Sequence, residues 1–83
     1  QSAEPHYNLG SLLQLKKDAF LAEKQYLLAL EIEPKHSQAH NNLGIIYMTM
    51  GNRAGAIAEL QAAVAADPDN AEARKNLALI SRR

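Results

Sequence analysis

Two histidines four residues apart, His36 and His40, are the pair in this 83-residue chain best spaced to do chemistry. On one helix that spacing turns both imidazoles to a single face, where they can hold zinc. Pro34 and Ser37 argue against it, because they place a helix start between the two, and no third ligand stands nearby. Packing or surface histidines are therefore expected, and no metal. The serines supply no nucleophile either: Ser11, Ser37 and Ser81 lack the glycines of a strand-to-helix elbow. Gly51-Asn52-Arg53 lacks the length and the lysine of a phosphate-binding loop. No catalytic residue and no cofactor is expected, and the chain reads as a non-enzyme. Arg74, Lys75, Arg82 and Arg83 make the C-terminal end basic, yet no aromatic side chains alternate with them to stack bases. A solvated face accounts for them, so nucleic acid is not an expected partner.

The elements that position these side chains must come from one small domain, residues 1–83. A hydrophobic fraction of 47% is enough for a folded helical domain, and much of it is alanine, which favours helix and close helix contact. Nine basic and nine acidic residues cancel, leaving no global field to attract nucleic acid or an anionic membrane. Cysteine is absent, which removes disulfides and thiolate zinc sites. No apolar run approaches the roughly 20 residues of a membrane helix, so membrane insertion is not expected. Gln1 in place of a start methionine points to a processed or excised segment.

Hydrophobic spacing divides the chain into five helices. Ser2 is the expected cap of the first, with Pro5 in its opening turn and a stripe of His6, Leu9, Gly10 and Leu13. Asp18 caps the second, whose buried stripe is Ala22, Tyr26 and Ala29, widened by Phe20, Leu27 and Leu30; Pro34 ends it. Ser37 is the expected cap of the third, with Ala39, Leu43, Ile46, Tyr47 and Met50 inward. Gly51-Asn52 gives a left-handed stop and then a cap. The fourth helix buries Ala56, Ile57, Leu60, Ala63 and Val64, and Gly55 inside it should cost about 1 kcal/mol relative to alanine. Asp67-Pro68 closes it, and Asn70 caps a fifth helix carrying Leu77 and Ala78.

A period runs through these elements. Leu9-Gly10, Leu43-Gly44 and Leu77-Ala78 recur at a constant spacing of about 34 residues, the length of a helix–turn–helix repeat. Ala22 and Ala56, Tyr26 and Leu60, Ala29 and Ala63, and Pro34 and Pro68 keep the same spacing. With Leu43, Gly44, Tyr47, Gly51, Ala56, Leu60, Ala63 and Pro68 in register, the chain resembles the tetratricopeptide repeat family over nearly its whole length. His6, His40 and Leu13 depart from the large aromatics common in their slots. Lys17 replaces the turn glycine seen at Gly51, and Ser81 replaces a tyrosine. The first hairpin is therefore expected to be loosely specified. The resemblance implies an all-α, right-handed superhelical α-solenoid of antiparallel helix pairs. Its expected parts are repeat 1 at about 3–36, repeat 2 at about 37–70 and a capping helix at about 71–83.

It also implies a function: a protein-interaction scaffold that grips an extended peptide or partner helix in a concave groove lined by the first helix of each unit. The family's groove slots fall on Tyr7, Asn8, Ser11 and Leu15, then Asn41, Asn42, Ile45, Met48 and Thr49, then Lys75, Asn76 and Leu79. Asn8, Asn42 and Asn76 repeat at the period, and side-chain amides in a column can bond a peptide's N–H and C=O groups together. In the slots of the family's carboxylate clamp stand Tyr7, Ser11, Asn42, Glu72 and Asn76; only Asn42 fits, so a chaperone C-terminal tail is not an expected partner. The alternative function is a structural segment that self-associates weakly through its ends, Tyr7, Leu12 and Leu13 at one and Leu79 and Ile80 at the other. A soluble, cytoplasmic location is the expectation.

Overall fold

The computed structural model describes residues 2–82, so Gln1 and the last of the four basic residues, Arg83, lie outside the described residues. Five helices follow one another: α1 (Glu4–Leu15), α2 (Ala19–Ile32), α3 (Ser37–Thr49), α4 (Arg53–Ala66) and α5 (Ala71–Ile80). Side-chain caps start four of them. Asp18 accepts from the Leu21 N–H at 3.3 Å, Asn52 from Gly55 at 2.9 Å and Asn70 from Ala73 at 3.1 Å. Ser2 does not cap α1: the N-cap is Ala3, which already has helical dihedrals and no side-chain cap bond, and Ser2, one residue further out, only accepts the Glu4 N–H at 3.2 Å. The cap of α3 is not Ser37 but His36, whose Nδ1 accepts from the Ala39 N–H at 3.1 Å. Ser37 is already the first helical residue, and its hydroxyl instead donates to the Ala63 carbonyl at 2.7 Å, tying α3 to α4.

Both helix hairpins close in the same way. Lys17 and Gly51 take positive φ values of 63° and 80°. The next N–H then reaches back into the last turn of the helix, Asp18 to the Leu13 carbonyl at 2.9 Å and Asn52 to Tyr47 at 2.8 Å. The loose first hairpin expected from Lys17 is thus a matter of stored strain, not of altered geometry.

The core lies between α2 and α3, where Ala22, Tyr26, Ala39, Leu43 and Ile46 are buried together. It continues through Ala29, Ala56, Leu60, Ala63 and Ala73. Two close crossings define it. A methyl built on Gly10 would sit 2.8 Å from the Tyr26 ring, and one on Gly44 would sit 2.9 Å from Leu60 Cγ. Gly55 has a local reason as well, because a methyl there would meet the capping amide of Asn52. Part of the expected core is outside. Phe20 is 78% exposed and Leu27 43%, because Ala22, Tyr26 and Ala29 already occupy the side of α2 that meets α1 and α3. Ala78 is exposed because no helix among the described residues packs beyond α5.

Curvature follows from which helices meet. Neighbouring pairs pack along the chain, and α1 also touches α3 and α3 touches α5, whereas α2 and α4 do not touch. The first helices of the units are therefore crowded together and the second helices splayed apart. A stack with that inequality bends so that α1, α3 and α5 form its concave face.

Candidate functional site in the concave face

Tyr26 organises the face although it belongs to α2. Its ring fills the gap beside Gly10, and its hydroxyl emerges between α1 and α3. There it donates to Gln14 Oε1 at 2.7 Å and pairs with Ser11 Oγ at 3.2 Å. The Asn42 amide donates to the same oxygen at 3.2 Å and to the Tyr7 hydroxyl at 3.4 Å. Burial raises the Tyr26 pKa above its ordinary value, against the lowering effect of Ser11 and Asn42, so the hydroxyl stays protonated at neutral pH. The Tyr7 ring stacks on His36 with centroids 4.7 Å apart, tilted by 31°.

Two depressions open above this floor. One, of about 360 Å³, is lined by Ser11, Gln14, Leu15 and Asn42. The other, of about 340 Å³, is lined by Gln14, Lys17, Ala19, Ile46 and Thr49. Gln14 is their common wall. Leu15 stands 81% exposed at the rim, and Met48 and Leu79 are exposed on α3 and α5. Ile45 is half-buried, Lys75 is exposed, and Thr49 spends its hydroxyl on the Ile45 carbonyl at 3.1 Å.

The three periodic asparagines do not form a uniform column of free amides. Asn8 is exposed, whereas Asn42 is engaged by Tyr7 and Tyr26. Asn76 donates to Asn41 Oδ1 at 3.1 Å, and Asn41 donates to Asn42 Oδ1 at 3.3 Å. Asn41 is itself buried, so it braces α3 against α5 instead of facing solvent. A peptide that bonds Asn42 must use its remaining acceptor capacity or displace a tyrosine hydroxyl.

Sequence reasoning missed Gln14, Lys17 and the Tyr26 hydroxyl. Gln14 was within reach, since it stands one full period before Met48, itself a groove slot. The cap at His36 had the same signal, midway between Ser2 and Asn70.

The histidine pair does not converge on a ligand. His36 directs Nε2 to Glu4 on α1 at 2.9 Å, while His40 directs Nδ1 to Glu59 on α4 at 2.8 Å and Nε2 to the Pro34 carbonyl at 2.8 Å. Glu59 raises the His40 pKa above its ordinary value, and burial only partly opposes it. His6 makes the matching contact in the first unit, to Gln25 at 2.8 Å. Tyr47 donates to Glu23 at 2.8 Å, and burial with that carboxylate beside it pushes its pKa up to about 12. Arg53 reaches the exposed end of α5, donating to the Ile80 carbonyl at 2.6 Å.

Paired helices at a constant period, small-residue crossings and a concave face of first helices define an all-α, right-handed superhelical solenoid of repeats. The chain belongs to the tetratricopeptide repeat family, whose sequence profile matches residues 17–80. It is similar to Tetratricopeptide repeat protein 8 of Homo sapiens (36% identical over 81 residues) and of Mus musculus (35%). Those alignments cover 98% of this chain but only 15% and 16% of the two relatives, so the chain spans about a sixth of their length. Two crystal structures of MamA superpose with TM-scores of 0.90 and 0.89 at 25% identity, covering 95% of this chain and 46% and 43% of theirs. No helix among the described residues is long and apolar enough to cross a membrane.

Proposed function

We propose that the chain is a non-enzymatic protein-interaction scaffold, and that its concave face binds an extended peptide or a partner helix. The observation that carries this reading is the depression lined by Ser11, Gln14, Leu15 and Asn42, three of which bond the Tyr26 hydroxyl, together with the one that adjoins it across Gln14. Amide and hydroxyl groups from Ser11, Gln14 and Asn42 lie there beside the exposed side chain of Leu15, with Met48 and Leu79 further along the first-helix layer. Such a surface offers apolar contact and hydrogen-bonding groups together, the combination that fits a polypeptide better than a small charged ligand. Tyr7, Asn8, Ser11, Leu15, Asn42, Ile45, Met48, Thr49, Lys75, Asn76 and Leu79 make up the proposed contact surface, with Asn41 as its brace. The units are proposed to divide at about 3–36 and 37–70, with 71–83 as the cap.

The amide groups favour backbone contacts, so affinity should depend little on peptide sequence. Asn42→Ala, measured by titration against a panel of unrelated peptides, should weaken all binders by similar factors. A loss confined to one peptide would instead mean side-chain recognition at Asn42. Glu72 in the clamp position remains a reason to exclude an anionic C-terminal tail. A soluble scaffold in the cytoplasm is the setting this reading fits.

A second reading, weak self-association through the ends, is favoured by one observation. Leu9 and Leu12 are exposed, although Leu43 and Ile46, their counterparts one repeat on, are buried by the preceding unit. Leu79 and Ile80 at the other end have no following helix among the described residues.

A further inference from the structure

The outward side of α2 carries apolar bulk that its own fold does not use. Phe20 and Leu27 are two turns apart on one side of the helix and exposed, with Leu21 exposed and Leu28 half-buried beside them. In α4, one repeat on, the same slots hold Ala54, Gly55, Gln61 and Ala62. The sister helix thus packs against α3 and α5 with small or polar groups at these positions, so the architecture does not require large ones. Contiguous apolar exposure of this kind marks a contact surface.

The charges on the surface identify its partner. Phe20, Glu23, Lys24, Leu27, Leu28 and Glu31 line one shallow depression of about 410 Å³. Glu23 and Lys24 sit between its two main apolar side chains. Lay a second α2 antiparallel, in the register that sets Phe20 against the Leu27 of the other copy. Lys24 then meets the other copy's Glu23, and the two-fold axis repeats both contacts. Sliding one helix by four residues instead sets Phe20 against Glu31 and Lys24 against Leu27, burying charge against apolar groups. The surface therefore complements itself in the first of these registers and not in the second, as an isologous dimer requires. Glu23 is already oriented, because its Oε2 accepts the Tyr47 hydroxyl at 2.8 Å while Oε1 remains for the lysine. Equal numbers of basic and acidic residues, nine each, leave no net repulsion between copies.

We propose that this chain pairs with a second copy of itself through an antiparallel α2–α2 contact on the convex side. One helix face per copy is less than the roughly 1,200–2,000 Å² of a standard stable interface, so the pairing is weak and concentration-dependent. It leaves the concave face open and does not depend on what binds there.

Sedimentation over a series reaching millimolar protein, joined to cysteine cross-linking, tests the proposal. The parent's average mass should rise with concentration. Phe20→Ser with Leu27→Ser should weaken association by about tenfold or more with helicity unchanged, since both side chains are exposed. Leu79→Ser, which acts only on the alternative contact through the ends, should leave the α2 association intact. The chain has no cysteine of its own, so Lys24→Cys reports proximity at the two-fold axis and Ala58→Cys, at the same slot of α4, is its control. Lys24→Cys should oxidise to a dimer several times faster than Ala58→Cys. A parent that stays monomeric, equal oxidation rates, or association that survives the double serine change would each overturn the proposal.

Discussion

The two helix pairs of this protein share a pattern and differ in their neighbours. Leu9 and Leu43 fill the same slot with the same residue, yet Leu9 is 42% exposed and Leu43 fully buried. Leu43 has α2 to pack against, and among the described residues Leu9 has no preceding unit. The second slot in the comparison runs the other way. Tyr26 and Leu60 are both fully buried, but only Tyr26 carries a hydroxyl through to the concave face. Burial in a repeat stack is thus decided by the neighbouring unit, whereas the polar chemistry of the face is decided by single departures from the repeat.

Substitutions at the two crossings should break that comparison most strongly. Gly44→Leu should overpack the contact with Leu60 and the Ala56 carbonyl, costing on the order of 1–3 kcal/mol in thermal or denaturant unfolding. Gly10→Ala should also lower stability, because hydrogen bonds pin the Tyr26 ring that the added methyl would meet at 2.8 Å. A Gly44→Leu protein melting within a degree or two of the parent would mean that the crossing is not close-packed.

Tyr26→Phe sharpens the second half of the comparison. It leaves the ring in place but strips a shared partner from Ser11, Gln14 and Asn42, and should cost roughly 1–2 kcal/mol. Leu60, the matching residue, has no such group to lose. Lys17→Gly acts in the opposite direction. Relief of the left-handed backbone, offset by greater freedom when unfolded, should stabilise by about 0.5–1 kcal/mol, bringing the first hairpin level with the second. Equilibrium denaturation of the two variants against the parent measures both.

The smallest expected effect is the pH dependence contributed by the His40–Glu59 pair of the second unit. Glu59 raises the His40 pKa in the folded state, so the pair's contribution is fully present below the unfolded value of 6.5. It is lost as the pH rises through the folded value. The parent's melting temperature should therefore fall slightly more than that of Glu59→Gln as the pH is raised from acid to neutral and above. An identical slope in both proteins would remove the charged pair from the account.

The fold was legible because the constant period marks slots that only a stacked helix pair fills: the Leu-Gly steps, the alanines of α2 and α4, and the two prolines. Helix starts at Asp18, Asn52 and Asn70 were legible from side-chain chemistry alone. His36 was not, because a histidine can cap only through an acceptor nitrogen, and only its place one period before Asn70 marked it. Phe20 and Leu27 were misassigned for a related reason. Hydrophobicity on α2 covers more than one side, and only tertiary packing reveals that the alanines and Tyr26, with Leu30 beside them, fill the inner one. In the concave face the slots were assignable, but hydrogen bonding was not. That Asn41 would be buried and Asn42 engaged by two tyrosines depends on how α1, α3 and α5 crowd together.

Amide chemical-shift mapping tests the central functional claim most directly. Labelled protein would be titrated with the tightest binder selected from a random library of extended peptides. Perturbations should concentrate on Ser11, Gln14, Leu15, Asn42 and Met48. Shifts confined to Glu23, Glu31 and Glu59, on the second helices, would contradict a concave binding face.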